Sequence, residues 1–348
     1  MTNANNNDGN PPEQESSASF GSGNIKHFIA NYELNDYTYD AFWAGREYEH
    51  LAEIHCISRL LQKYAPNQEN KVIMDVGGAY GRLSPLYRDT FKHFVISDYS
   101  TIELRHAAKD LEKYKEKMNL VAMNVYKVPF QNDTFDTLMS VRLIHHIASP
   151  EIMMEEMYRI LKPGGIFILE AAHKQHILGF FKALFQGKLS EFFANDPHRV
   201  AHNPSESQGI KEGQESIMFS FTADHIVEVA KSTGFSLKEV VACSFFRLPM
   251  VKKLFPTSLL LGLEKVAQAL LSWTRITPSL LFVFEKPGIL SASGASFAIN
   301  DTLQCPHCSA RMTYSQPDVL QCEKCKETFL VREDIFDLRD PKPEEVTF

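Results

Sequence analysis

Four cysteines near the C-terminus stand in two pairs, Cys305-Pro-His-Cys308 and Cys322-Glu-Lys-Cys325, with thirteen residues between the pairs. Two such knuckles on a short hairpin bring four thiolates within reach of one ion in tetrahedral geometry, which suits a closed structural zinc site. A unit of this size buries too little apolar surface to fold by itself, so the metal would supply its folding energy. The competing reading is a pair of disulfides. Six cysteines in 348 residues are too few for a disulfide framework, and the pairing favours metal in a reducing compartment. His307, between two ligands, is expected to face solvent.

A second constellation is Asp75-Val-Gly77-Gly78-Ala79-Tyr80-Gly81-Arg82. It follows a short apolar run at 71–76, and a helical pattern begins at Gly81. Glycines there let the backbone turn tightly and approach a ligand. A dinucleotide site wants G-x-G-x-x-G, but counting from Gly77 gives Ala79 and Arg82 at the second and third glycine positions, so that reading fails. An acid before the glycines, Asp75, and another ending the next strand, Asp98, fit a nucleoside-bearing ligand without a pyrophosphate. The Asp98 carboxylate can accept both ribose hydroxyls.

With these pieces in order, VIMDVGGAYGRL, ISDYS, VPFQNDTFDTLMSVRLIHHI and RILKPGGIFILE, residues 72–286 resemble a class I S-adenosylmethionine-dependent methyltransferase. The likeness is greatest to the broad group that includes the ubiquinone/menaquinone-biosynthesis methyltransferases. The resemblance implies a Rossmann-like α/β fold: a seven-stranded sheet with helices on both faces, its last strand antiparallel, and the cofactor across the C-terminal ends of the first strands. It also implies that Gly77, Gly78 and Gly81 line the methionine and ribose and that Asp98 holds the ribose hydroxyls. Asn124 and Val125 would face the adenine, and Val141 and Arg142 would sit beside the transferring methyl. Two positions depart from the pattern. Ala79 replaces the middle glycine of the triplet, and Asn124 replaces the acid that accepts from the adenine amino group, though its amide oxygen can still accept.

Methyl transfer from a sulfonium is an in-line displacement that rests on proximity and orientation, and a general base helps only with a hydroxyl or carbon acceptor. His145 and His146, after the fourth strand, are the candidates for that base, against a packing or capping role. Glu170, His173 and Lys174 end the fifth strand, where open α/β sheets place ligand contacts. Arg46 could reach the cofactor carboxylate, although a surface salt bridge is its more ordinary fate. Residues 254–273 carry Leu259, Leu263, Val266, Leu270 and Trp273 at helical spacing, flanked by Lys252, Lys253 and Arg275. This could be an interfacial helix for a lipid-like acceptor. An ordinary packed helix between the last two strands is the favoured reading.

The elements that must position these groups alternate. Strand-like runs at 93–98, 119–124, 134–141 and 166–170 are separated by helical patterns at 101–117 and 150–161, and a helical stripe of Tyr48, Leu51, Ile54, Ile57, Ser58 and Leu61 precedes them. Ser149 and Pro150 mark a helix start. This order means a parallel sheet between helices. Residues 1–24 read as a disordered tail rather than a signal peptide, and 25–286 as the methyltransferase domain. That domain carries an aromatic-rich insertion at about 173–221 and an extra helix at about 258–273. Residues 287–300 read as a linker, and 301–348 as a separate zinc ribbon. No run of some eighteen uncharged apolar residues spans a membrane.

The ribbon, LQCPHCSARM and LQCEKCKETFLVREDIFDLR, resembles that of the small activator subunit of certain tRNA and protein methyltransferases. From Cys305 onward its net charge is −3, and the whole chain carries −7. An RNA-gripping ribbon should be basic, so an intramolecular brace or a protein contact fits better. The sequence therefore points to a cytoplasmic methyltransferase acting on a small or lipid-like molecule, with peripheral membrane contact as an option. An RNA or protein methyltransferase using the ribbon is the second reading, and a noncatalytic cofactor-binding or scaffold protein the third. The oligomeric state is not legible.

Overall fold

The computed structural model describes Trp43 and residues 45–173, 175–193, 200–201, 218–219, 221–289 and 297–339. The tail at 1–24 lies outside the described residues, as do Lys174, most of 194–220 and the middle of the 287–300 segment.

The chain begins with α1 (Glu47–Tyr64) and then alternates: β1 (Val72–Val76), β2 (His93–Asp98), α2 (Thr101–Asp110), β3 (Met118–Ala122), β4 (Phe135–Ser140), α3 (Pro150–Ile160) and β5 (Leu161–Ala172). Two short helices follow, α4 (Ile177–Phe185) and α5 (Leu189–Phe193), and a small two-stranded ladder pairs β6 (Val200–Ala201) with β7 (Met218–Phe219). The domain closes with α6 (Ala223–Thr233), β8 (Ser236–Cys243), α7 (Pro249–Leu254), α8 (Thr257–Leu271) and β9 (Ser279–Glu285). The C-terminal segment, expected from the sequence to be a ribbon and called so below, contains α9 (Ile299–Thr302), β10 (Met312–Gln316), β11 (Val319–Cys322), β12 (Thr328–Arg332) and β13 (Ile335–Asp337).

Strands β1 and β4 are buried at every residue, as expected where helices cover both faces of a parallel sheet. On one face Met153, Met154 and Met157 of α3 pack with Ile226 and Val229 of α6. On the other, Ile57 and Leu60 of α1 pack with Leu104 and Ala107 of α2 and Leu260 of α8. Helix α6 shows how local chemistry sets the boundaries: Thr222 accepts from the His225 N–H at its start, and Gly234, at φ 113°, ends it in the left-handed region.

The sheet is larger than the seven strands expected. Seven strands lie in the order β3-β2-β1-β4-β5-β9-β8, with β9 antiparallel to both neighbours, and the four ribbon strands extend the β3 edge to make eleven. The seam is a parallel pairing in which Ile335, Phe336 and Asp337 face Leu120, Val121 and Ala122. The ribbon is therefore not set apart. Leu303, Cys305, Met312, Leu320 and Phe329 belong to the same apolar cluster as β1 and β4. Arg339 donates to the Tyr99 carbonyl and lies over its ring, and Arg105 pairs with Glu333.

Three local expectations change. The chain after Gly81 forms turns and a 3-10 turn at Ser84–Leu86 instead of a helix, because Pro85 removes an N–H and the Tyr87 hydroxyl is drawn down to Asp75. Helix α2 stops at Asp110, and a separate 3-10 turn spans Glu112–Tyr114. The buried stripe of α1 is rotated, taking in Ala52, Glu53, Cys56 and Leu60 in place of Leu51, Ile54 and Ser58. No helix among the described residues is long and apolar enough to cross a membrane.

Candidate active site and metal centre

The glycine turn is tied to the end of β2. The N–H groups of Gly77 and Gly78 both donate to the Ser97 carbonyl at 2.9 Å, and Gly77 and Gly81 have φ of 73° and 79°. A Cβ on Gly78 would lie 2.9 Å from both Asp75 Cγ and Ile96 Cγ2, so only glycine fits without displacement. Ala79 also sits at positive φ, 47°, where an L side chain is strained. It holds there because its N–H donates to Asp98 Oδ2 at 3.0 Å.

The other oxygen of Asp98 accepts from the Ser100 N–H at 2.9 Å. The Tyr99 N–H is a third backbone donor, so the carboxylate keeps only about one acceptor site for a further donor. Burial raises the Asp98 carboxyl to about 6, against the opposing pull of these backbone bonds. Asp75 lies under the turn with 2% of its surface exposed, accepting from the Tyr87 hydroxyl at 2.9 Å, and burial pushes it up to about 7. It braces the turn from beneath.

The remaining cofactor candidates approach from two sides. The Met123 N–H donates to the Asp98 carbonyl, which brings Asn124 and Val125 to the end of β2. The Asn124 side-chain oxygen accepts from the Tyr126 N–H at 2.9 Å. After β4, the loop carrying Val141 and Arg142 lies against the glycines: a Cβ on Gly77 would meet the Leu143 side chain at 3.0 Å.

Arg142 has φ 60°, and its N–H donates to Glu170 Oε2 at 3.0 Å. Its guanidinium turns toward α1 and pairs with Glu53 through Nε at 2.9 Å and through Nη2. Arg82 pairs with the other oxygen of Glu53 at 3.0 Å and contacts His50 Nδ1 at 2.9 Å, while Trp43 lies over both guanidinia. Burial alone would raise the Glu53 carboxyl, but Arg142 and Arg82 outweigh it and hold it below its ordinary value. Sequence reasoning looked to Arg46 here and missed Glu53. The signal was a carboxylate on the inner side of a helix with two arginines downstream. Arg46 is the residue preceding the first turn of α1 and makes no side-chain cap.

His145 is packed away at 7% exposure, and burial drives its imidazole well below the usual value, so it stays neutral. Its ring lies 4.1 Å from that of His146, which is half-buried and the more accessible of the two. Glu170 is buried, accepting from the Arg142 N–H and from the Ser279 hydroxyl at 2.5 Å, so it is a structural tie at the end of β5. His173, also buried and pushed down to about 4 by burial, borders a cavity of about 380 Å³ between α4, α5 and the turn after α8. Phe180, Phe192 and Ile276 give this cavity apolar walls, and His176, Asp224 and Arg275 give it a polar side.

The four ribbon cysteines converge. Their sulfurs lie within 4.8 Å of one another, with Cys305–Cys325 at 3.6 Å and Cys308–Cys322 at 3.4 Å. These distances are far beyond an S–S bond and near the roughly 3.8 Å edge of a tetrahedron of thiolates around zinc. The Cys325 N–H points at Cys322 Sγ, an arrangement that favours thiolate. His307 is exposed, its ring stacked on Phe329, outside the four-sulfur set.

Residues 74–169 match the family described as methyltransferase domain. That stretch, a little over a quarter of the chain, is similar to a methyltransferase domain. Among curated proteins, an uncharacterized methyltransferase of Mycolicibacterium gilvum is 25% identical over 170 residues, covering 47% of this chain and 62% of that one. The ubiquinone/menaquinone biosynthesis C-methyltransferase of Geotalea daltonii is 28% identical over 193 residues, covering 50% of this chain and 80% of the relative. A crystallised S-adenosylmethionine-dependent methyltransferase of Mesorhizobium loti superposes with a TM-score of 0.44 at 15% identity, covering 65% of this chain and 96% of the other. The chain spans 62% and 64% of the length of the first two curated relatives it matches.

Proposed function

We propose that this chain transfers a methyl group from S-adenosylmethionine to a small or lipid-like acceptor. The observation that carries the reading is the pairing of the Gly77–Gly81 turn with Asp98, whose carboxylate is fixed by backbone N–H groups and keeps acceptor capacity beside a backbone that has no room for side chains. Gly77, Gly78 and Gly81 would receive the methionine and ribose, Asp98 the ribose hydroxyls, and Asn124 and Val125 the adenine. The chemistry supplied by bound S-adenosylmethionine is a sulfonium methyl open to in-line displacement. Arg142, locked on Glu53, fixes the loop on the acceptor side, and His146 is the better placed of the two histidines to take a proton from a hydroxyl or carbon acid.

The cavity beside His173 is the acceptor pocket in this reading. Ile177, Phe180, Phe192, Phe193 and Ile276 give it apolar walls, which supports an apolar acceptor, as does the likeness to a quinone-biosynthesis C-methyltransferase. We assign zinc to Cys305, Cys308, Cys322 and Cys325. The ribbon then serves as an intramolecular brace for the β3 edge, because β13 is already committed to pairing there.

The test has two stages. Titration calorimetry should show one S-adenosylmethionine per chain, and absence of binding would leave only the scaffold reading. Label from the radioactive methyl group, followed into a fractionated host extract, should appear in lipid or small molecules. Label in RNA or protein would overturn the acceptor class while keeping the activity.

A further inference from the structure

Helix α8 is turned inside out. A helix packed on a core shows its apolar stripe inward and its polar residues to water. Here the inner face carries Glu264 and Gln268, both fully buried, along with Leu260 and Ala267. Glu264 accepts from the Ser244 and Phe245 N–H groups and from the Tyr48 hydroxyl, and Gln268 donates to the Ala52 carbonyl and to Glu264. The polar groups therefore anchor the helix to α1 and β8. The outer face carries Leu259, Leu263, Val266 and Leu270, the last 67% exposed, and ends on Trp273 at 76%. The exposed side chains of Met250, Leu254 and Phe255 on and just after α7 continue it toward the N-terminus.

The patch reaches α4. The Ile177 N–H bonds the Ile276 carbonyl, and both side chains are exposed where the two segments meet. Beyond them Phe181, Leu184 and Phe185, the last 86% exposed, present a second apolar surface on the other side of the cavity. Exposed apolar area on this scale marks an interaction surface.

Charge identifies the occupant. In a chain of net −7, residues 247–276 contain five basic residues and one acid, and that acid, Glu264, is buried in hydrogen bonds. Lys253 and Lys265 are exposed on α7 and α8, and Lys182 and Lys188 on and after α4. Exposed leucines and a tryptophan, with lysines at their margin and no exposed carboxylate on α7 or α8, match the boundary of an anionic bilayer. We infer that α7–α8 and α4 form a docking surface for an anionic membrane, placing the cavity beside His173 at the lipid boundary. The surface stands independently of which acceptor is methylated.

The test is co-sedimentation of the full chain with vesicles of phosphatidylcholine alone or with 30% phosphatidylglycerol, at low and high salt. We expect binding to the anionic vesicles that weakens at least tenfold at high salt. Brominated lipid should quench the Trp273 emission. Leu263→Glu with Leu270→Glu should weaken binding at least about tenfold, and Lys253→Glu with Lys265→Glu about tenfold at low salt. Unchanged S-adenosylmethionine binding by both variants shows that they are folded, and failure of that binding in the parent chain bears only on the methyltransferase reading. Absence of vesicle binding, binding indifferent to both double substitutions, or a stable dimer that the leucine changes dissociate would each overturn the membrane assignment.

Discussion

Asp98 makes cofactor affinity depend on pH in a way that can be worked from its surroundings. Its carboxyl sits near pH 6 in the folded chain because burial disfavours the charge, and the ionised form is the stronger acceptor from ribose hydroxyls. Binding should therefore be constant above about pH 7 and fall as the group protonates. With a free-state value of about 6, affinity at pH 5 should be roughly elevenfold weaker than at pH 8. The sign for stability is opposite. A raised carboxyl value means the folded chain favours the protonated group, so this residue's contribution is largest at low pH and is lost as pH rises from the unfolded value near 4 through 6. Calorimetric titration with S-adenosylmethionine from pH 5 to 8 measures the first effect. Asp98→Asn should bind more weakly at pH 8 and show a much flatter profile. Asp75, near 7 but bonded to Tyr87 below the turn, offers a control: Asp75→Asn should keep most of the slope. Affinity that is flat from pH 8 to 5 in the parent chain, or a slope that survives in Asp98→Asn, refutes the assignment of Asp98 to the ribose.

Three further outcomes follow from the geometry. Glu53→Gln leaves two guanidinia without their buried anion and should destabilise the fold by about 3–5 kcal/mol, seen as a drop of about 4–9 °C in Tm; a shift under about 2 °C would show the cluster to be solvated. Cys308→Ser with Cys322→Ser, or prolonged chelation, should remove one zinc per chain by elemental analysis and increase aggregation, because the β3 edge loses its cover. Ala79→Gly relieves a left-handed backbone and should raise stability by about 1 kcal/mol in denaturant titration, whereas lower stability would mean that the Ala79 methyl packs favourably enough to offset the strain.

What the sequence disclosed and what it hid divide along a physical line. The glycine turn, Asp98 and the short strands are local: one apolar run, one turn and one strand-end acid identify them, and β2 occupies the residues expected of it. The cysteine knuckles are local too, since two residues between ligands already fix a loop. The β13–β3 seam is not. Ile335, Phe336 and Asp337 carry no mark of a partner so far away in the chain, so the ribbon read as a separate unit. Glu53 was hidden because its worth lies in Arg82 and Arg142, which tertiary structure alone brings together. Helix α8 misled for a related reason. Its leucine stripe has the right period for a core, and only the buried hydrogen bonds of Glu264 and Gln268 reveal which side faces in.

The stitched edge also sets an order of events at birth. Arg339 and the Tyr99 carbonyl it bonds are 240 residues apart, so the first half of the sheet must leave the ribosome with β3 bare. At ordinary elongation rates that interval is about 10–50 s, long compared with the collapse of the domain itself. Throughout it, Met118–Ala122 is an open strand end able to pair with a neighbouring nascent chain. Chaperone occupancy and codon usage over the second half of the message are therefore as much a part of this protein's solubility as the finished contacts of its ribbon.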